Sequence, residues 1–135
     1  MYKNILIPVS RDPSRDIASS LKVATALADK GAHFTLIHVV ETVPVYAVGY
    51  IPVVAIETNR DEIKTELEGL AATLPNASVF IADGKPGARI LRWADENGCD
   101  CIIIASHEPV MSDYLLGSTA HQVVRHAKCA VHVVR

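Results

Sequence analysis

Ile5-Leu6-Ile7-Pro8-Val9 is an unbroken apolar run between Lys3-Asn4 and Ser10-Arg11-Asp12. A strand with one wet face alternates apolar and polar residues, whereas a continuous run marks a strand covered on both faces, as in a parallel sheet between helix layers. Similar runs recur at Phe34 to Val40, Ser78 to Ala82, Cys101 to Ala105 and Ala130 to Val134. Between them the period becomes helical. Ile17, Leu21, Ala24, Leu27 and Ala28 follow Asp12-Pro13, where Asp12 suits a cap and Pro13 the first turn, and Gly31 is expected to close that helix. Thr58-Asn59-Arg60-Asp61 reads as a capping box before Ile63, Leu67, Leu70 and Leu74. Gly84-Lys85-Pro86-Gly87 reads as a turn, followed by a third helix marked by Ile90, Leu91 and Ala94 and ended by Gly98. Gly117-Ser118-Thr119 opens a fourth helix reaching about His126.

Strand and helix therefore alternate four times before a final strand. Right-handed crossovers then require a parallel sheet with helices on both faces. The expectation is an α/β fold: a five-stranded, doubly wound parallel sheet with four helices, in the order 3-2-1-4-5. The 135 residues suit a single domain spanning 1–135.

Composition removes several functions. Thirteen Lys and Arg against fifteen Asp and Glu, with a formal net charge of −2, leave no cationic surplus for a phosphate backbone, so no nucleic-acid partner is expected. Three cysteines are too few and odd in number for a disulfide framework. The greasiest stretch, Val43 to Ile56, is broken by Pro44, Gly49 and Pro52 and falls short of the roughly 20 apolar residues of a membrane span. The early apolar run is also too short for a secretory signal. A soluble, cytoplasmic protein with no membrane insertion is expected.

In a doubly wound sheet the ligand crevice lies beyond the strands' carboxyl ends, where the winding reverses. Here that point falls between the first and fourth strands. The residues emerging there are Pro8-Val9-Ser10-Arg11 and Ala105-Ser106-His107-Glu108, and Gly117-Ser118-Thr119 begins a helix nearby. A helix N-terminus offers unpaired N–H groups and partial positive charge, which suit a phosphate. Taken alone, the triplet reads as Ser118 capping its helix.

The carboxyl half resembles the universal stress protein family: Ile102-Ile103-Ile104-Ala105-Ser106-His107 leads through Tyr114-Leu115-Leu116-Gly117-Ser118 to Val123-Val124-Arg125-His126-Ala127 and the closing Val131-His132-Val133-Val134-Arg135. Lys3-Asn4-Ile5-Leu6-Ile7-Pro8-Val9, His38-Val39 and Gly84-Lys85-Pro86 extend the likeness over the whole chain. The Ser-His-x-Pro…Tyr-Leu-Leu-Gly-Ser form looks most like the family's F/G branch.

The resemblance implies a fold of nucleotide-binding type and a nucleotide-responsive regulatory protein of the stress response that binds ATP, with Mg2+ accompanying it. The family's motif Gly-x2-Gly-x9-Gly-Ser/Thr puts its glycines on Ala105, Glu108 and Gly117, with Ser118 following and a spacer of eight residues. Ser10 stands where an acidic residue near the ribose is usual, and Val39 where backbone meets adenine. The nucleotide-site residues so implied are Pro8, Val9, Ser10, Val39, Ala105, Ser106, His107, Glu108, Gly117, Ser118 and Thr119. Ala105 adds a methyl, Glu108 a charge that needs Mg2+ or an outward turn, and Ser10 keeps a hydroxyl. Arg11, Lys85 and Arg89 are candidate compensating cations.

No general base is legible beside His107, Ser118 or Thr119, so no efficient enzyme is expected and no catalytic residue is assigned. Slow ATP hydrolysis or autophosphorylation is what the resemblance adds. Cys99 and Cys101 are expected on one face of a strand as packed thiols, without metal. Val43 to Ile56 reads as a lid, a partner surface or local packing. The last strand, at a sheet edge, is where the resemblance implies a homodimer. The alternative function is a nucleotide-free scaffold acting through dimer and partner contacts.

Overall fold

The computed structural model describes residues 1–11, 17–41, 53–106 and 117–135, with 53–59 as backbone only. The strands are β1 (Tyr2–Pro8), β2 (Ala28–Glu41), β3 (Ala77–Gly84), β4 (Cys101–Ala105) and β5 (Ala130–Val134). The helices are α1 (Ile17–Leu27), α2 (Val53–Ala71), α3 (Pro86–Glu96) and α4 (Ser118–His126). All strand pairs are parallel, in the order β3-β2-β1-β4-β5. The apolar runs form the expected parallel sheet, and its order is the 3-2-1-4-5 expected.

Those runs divide side chains between two cores. Leu6, Ile37, Ile102 and Ile104 face α3 and α4, meeting Ile90, Ala94, Ala120 and Val123. Ile5, Ile7, Phe34, Leu36 and Ile103 face the other way, against Ala24 of α1 and Ile63 and Leu67 of α2. Consecutive β1 residues are thus fully buried on opposite faces, which leaves no place for a polar residue in the run.

Three local expectations are corrected. Gly31 does not close α1: the helix ends at Leu27, and Gly31, with φ 81°, lies within β2. The β1–β2 register runs from Tyr2↔Ala28 to Asn4↔His33, so β2 carries extra residues there, and glycine's access to positive φ permits the irregularity. Thr58-Asn59-Arg60-Asp61 does not start α2, which begins at Val53, because a capping sequence is a preference that a continuing helical ladder overrides. The Gly84–Gly87 turn shrinks to Lys85, since Gly84 ends β3 and Pro86 takes the first helical position, where its missing N–H costs nothing. The expected Asp12 cap lies outside the described residues.

The cysteine pair is also corrected. Cys99 precedes β4 and packs into the α3–α4 core, whereas Cys101 packs into the opposite one. Gly98, with φ 63°, and a bond from the Cys99 amide to the Ala94 carbonyl hold residue 99 in the connection from α3, so strand alternation does not reach it. Among the described residues no group of His, Cys, Asp and Glu gathers to hold a metal, and no helix is long and apolar enough to cross a membrane.

Candidate functional site

The carboxyl end of β1 is fixed by main-chain geometry. Pro8 has no N–H, so the ladder to β2 resumes one residue later, where the Val9 amide donates to the Ile37 carbonyl at 2.8 Å. The Val9 carbonyl accepts from His38 Nδ1, also at 2.8 Å. On the other side of β1, β4 ends at Ala105, and the Ser106 amide donates to the Val134 carbonyl at 2.8 Å. The two strand ends open into a cavity of about 610 Å3. That falls within the roughly 300–1,000 Å3 of small-molecule sites.

Pro8, Val9, Ser10, Val39, Ala105 and Thr119 line this cavity. Ser106, Gly117 and Ser118 are not among the lining residues: Ser106 follows Ala105 directly, and Gly117 and Ser118 precede Thr119. His107 and Glu108 lie outside the described residues, as do residues 43–52 of the apolar segment. Ser118 is not the cap of α4. Gly117 occupies that position, with φ 88° and ψ 149°, and makes no side-chain capping bond. The first-turn amides therefore begin beside the cavity with no side-chain cap from Gly117.

Several lining residues escaped the sequence reading. Ile63, Leu67 and Leu70 of α2 and Ile17 of α1 form an apolar flank, and Ile37, Ile90 and Ile104 another. His38 also lines the cavity, and a histidine in an apolar run is itself a signal. Glu66 also lines the cavity, one residue from Leu67, but nothing in its helical spacing shows which strand end α2 meets. Of the three candidate cations Arg11 lines the cavity, whereas Lys85 and Arg89 do not. Lys85 caps α3, and Arg89 lies against Gly84, where an added Cβ would meet its Cγ at 3.2 Å.

Two ion pairs tie α2 to neighbouring segments. Arg11 Nη2 donates to Glu66 Oε1 at 2.9 Å, and Glu62 Oε2 stands 4.0 Å away. Arg60 makes a two-pronged contact with Asp83, at 2.8 and 2.9 Å, bracing α2 against the end of β3. The Arg60 hydrogen bond holds the Asp83 carboxyl below its usual range, against a smaller opposing effect of burial. The cavity thus sets hydroxyls, one guanidinium and the start of α4, together with the carboxylates of Glu41 and Glu66, against apolar walls.

Known proteins show the same architecture. A universal stress protein A homolog from Coxiella burnetii is 32% identical, the match covering 99% of this chain and 95% of that protein. The universal stress protein UspA from Lactobacillus plantarum superposes with a TM-score of 0.79 at 26% identity, covering 99% of this chain and 98% of that one. A universal stress protein from Archaeoglobus fulgidus, solved in complex with dAMP, shares the fold at a TM-score of 0.65 and 16% identity, covering 99% and 98%. Residues 1–135 match the family itself, and the chain belongs to the universal stress protein family.

Proposed function

We propose that this protein binds an adenine nucleotide, ATP with Mg2+, in the crevice beyond β1 and β4, and works as a nucleotide-responsive regulator in the stress response. The observation that carries the reading is the cavity of about 610 Å3 at the reversal of winding, which Val9, Ala105 and Thr119 all line. Its apolar walls suit a base, with Val39 beside it. Ser10 suits a ribose hydroxyl, and the start of α4 at Gly117-Ser118-Thr119 suits phosphates. Ser106, His107 and Glu108 complete the proposed site. Glu41 and Glu66 in the wall disfavour a bare polyphosphate, so the residues present fit the Mg2+ complex better than free ATP. The dAMP bound by the Archaeoglobus relative supports a nucleotide as the ligand class.

Regulation follows if occupancy changes the loop from Ser106 to Leu116, because a ligand shifts a conformational equilibrium only through different affinity for the two states. The β5 edge, with Val124 of α4 exposed nearby in sequence, is the proposed homodimer surface. We assign the protein to the cytoplasm, and the Tyr-Leu-Leu-Gly-Ser form supports the family's F/G branch. Titration calorimetry with Mg-ATP tests the reading. Saturable binding that Ala105→Phe abolishes, with an unchanged circular dichroism spectrum, supports it. No saturation up to millimolar ATP removes it.

A further inference from the structure

Among the described residues lining the crevice, Arg11 is the one side chain with a permanent positive charge, and Glu41 and Glu66 share the wall with it. Its guanidinium already faces a carboxylate, since Nη2 donates to Glu66 Oε1 at 2.9 Å and lies 4.0 Å from Glu62 Oε2. Glu62 and Glu66 stand one turn apart on α2, so both reach the segment leaving β1. The side chains of Arg11 and Glu66 are 34% and 54% exposed, and ion pairs this wet are weakly held. A phosphate offers a guanidinium more oxygens and more charge than one carboxylate does.

We infer that Arg11 is the phosphate-recognition residue of this crevice and that Glu66, assisted by Glu62, is its built-in competitor. An anionic ligand gains Arg11 by displacing Glu66. Occupancy thereby trades a contact between the β1 end and α2 for one between the β1 end and the ligand. A neutral nucleoside enters the same crevice without that exchange. The inference rests on the nucleotide reading and adds to it which residue reads charge and which opposes it.

The test is calorimetry on the full chain, comparing wild type, Arg11→Ala, Glu66→Gln and the double variant with Mg-ATP and with adenosine. Both side chains are exposed, and thermal melts check that each variant is folded. The expected result is that Arg11→Ala weakens Mg-ATP about tenfold, as for loss of a charge-assisted contact, and leaves adenosine within about twofold. Glu66→Gln is expected to tighten Mg-ATP about three- to tenfold, and to lose most of that gain when Arg11 is absent. Unchanged Mg-ATP affinity in Arg11→Ala, with wild type binding both ligands, overturns the inference and leaves the nucleotide reading standing. An equal gain from Glu66→Gln with and without Arg11 overturns the competition, since Glu66 then acts only as a charge in the wall. Saturation by neither ligand in wild type overturns both readings together.

Discussion

The imidazole of His38 donates from Nδ1 to the main-chain carbonyl of Val9 at 2.8 Å. Because a carbonyl can only accept, the contact requires a proton on Nδ1. With the Val9 amide bonded to the Ile37 carbonyl, both polar groups of Val9, the residue after β1, are tied to β2. Ser10 and Arg11 follow immediately, so the path of the chain into the crevice is set by this pair of bonds. Replacing His38 with Leu removes the donor from a buried strand end and is expected to cost about 1–2 kcal/mol. Urea denaturation measures that loss. Mg-ATP affinity is expected to fall in the same variant, because one of the two bonds that hold Val9, the residue before Ser10, is lost.

Asp100 performs a comparable task at the opposite end of the sheet. Its Oδ2 accepts from the Lys3 amide at 2.8 Å and its Oδ1 from the Asn4 amide at 3.0 Å, while its own amide donates to the Asn4 carbonyl at 2.9 Å. Asn4 in turn donates from its side chain to the Asn97 carbonyl at 2.8 Å. These bonds hold the start of β1 from a half-exposed position, so Asp100→Ala is expected to cost about 1–2 kcal/mol, and Asp100→Asn less because one oxygen remains. Nucleotide affinity should not change, since this clamp lies at the amino ends of the strands. A denaturant midpoint that moves while the calorimetric Kd stays constant is the expected pattern.

The sheet was legible because both faces of β1 and β4 are covered, so Ile5-Leu6-Ile7 and Ile102-Ile103-Ile104 admit no polar residue and announce themselves. The alternation of elements and the handedness of their connections made the sheet parallel, but they admit more than one order, and which strands are neighbours is settled by the pairing itself. The site was legible only in part. Val9, Ala105 and Thr119 could be found from the rule that crevices lie at carboxyl ends, but Glu66 and Leu70 could not, because the packing of α2 against β2 is a tertiary fact absent from helical spacing. Cys99 departs from the strand pattern for a related reason. Period-two reasoning holds only inside a strand, and Gly98 turns the chain just before one starts.

Burial makes the central thiols poor nucleophiles. Removal from water, reinforced by Cys129 and Asp100 nearby, pushes Cys99 and Cys101 up to about 11. The expected result is slow iodoacetamide labelling of both residues at pH 8 in the native protein and rapid labelling in urea, read by mass spectrometry. The same shifts fix the direction of alkaline instability. The unfolded thiol ionises near 8.5, so the folded state's advantage is complete below that value. It is lost as pH rises through about 11, where the buried thiols finally ionise. Denaturation midpoints should therefore fall between about pH 9 and 11, and a Cys99→Ala, Cys101→Ala variant should show a shallower decline.

Gly117 is the residue on which the start of α4 turns. At φ 88° and ψ 149° it occupies a region that side chains with a Cβ essentially do not enter, and the His121 amide donates to its carbonyl at 2.9 Å to begin the helical ladder. Alanine there must either accept about 1–3 kcal/mol of backbone strain or rotate to negative φ and re-aim the first turn. The two outcomes are separable. If the strain is accepted, Gly117→Ala lowers stability by that amount and leaves Mg-ATP affinity intact. If the turn rotates, stability changes little and affinity falls, because Thr119, which lines the crevice, is re-aimed. Ala120 and Val123, almost fully buried in the core beneath, resist movement of the helix body. The rotation is then confined to its first residues, so the second outcome is expected. Gly117→Ala should weaken Mg-ATP while changing the melting temperature by only a few degrees.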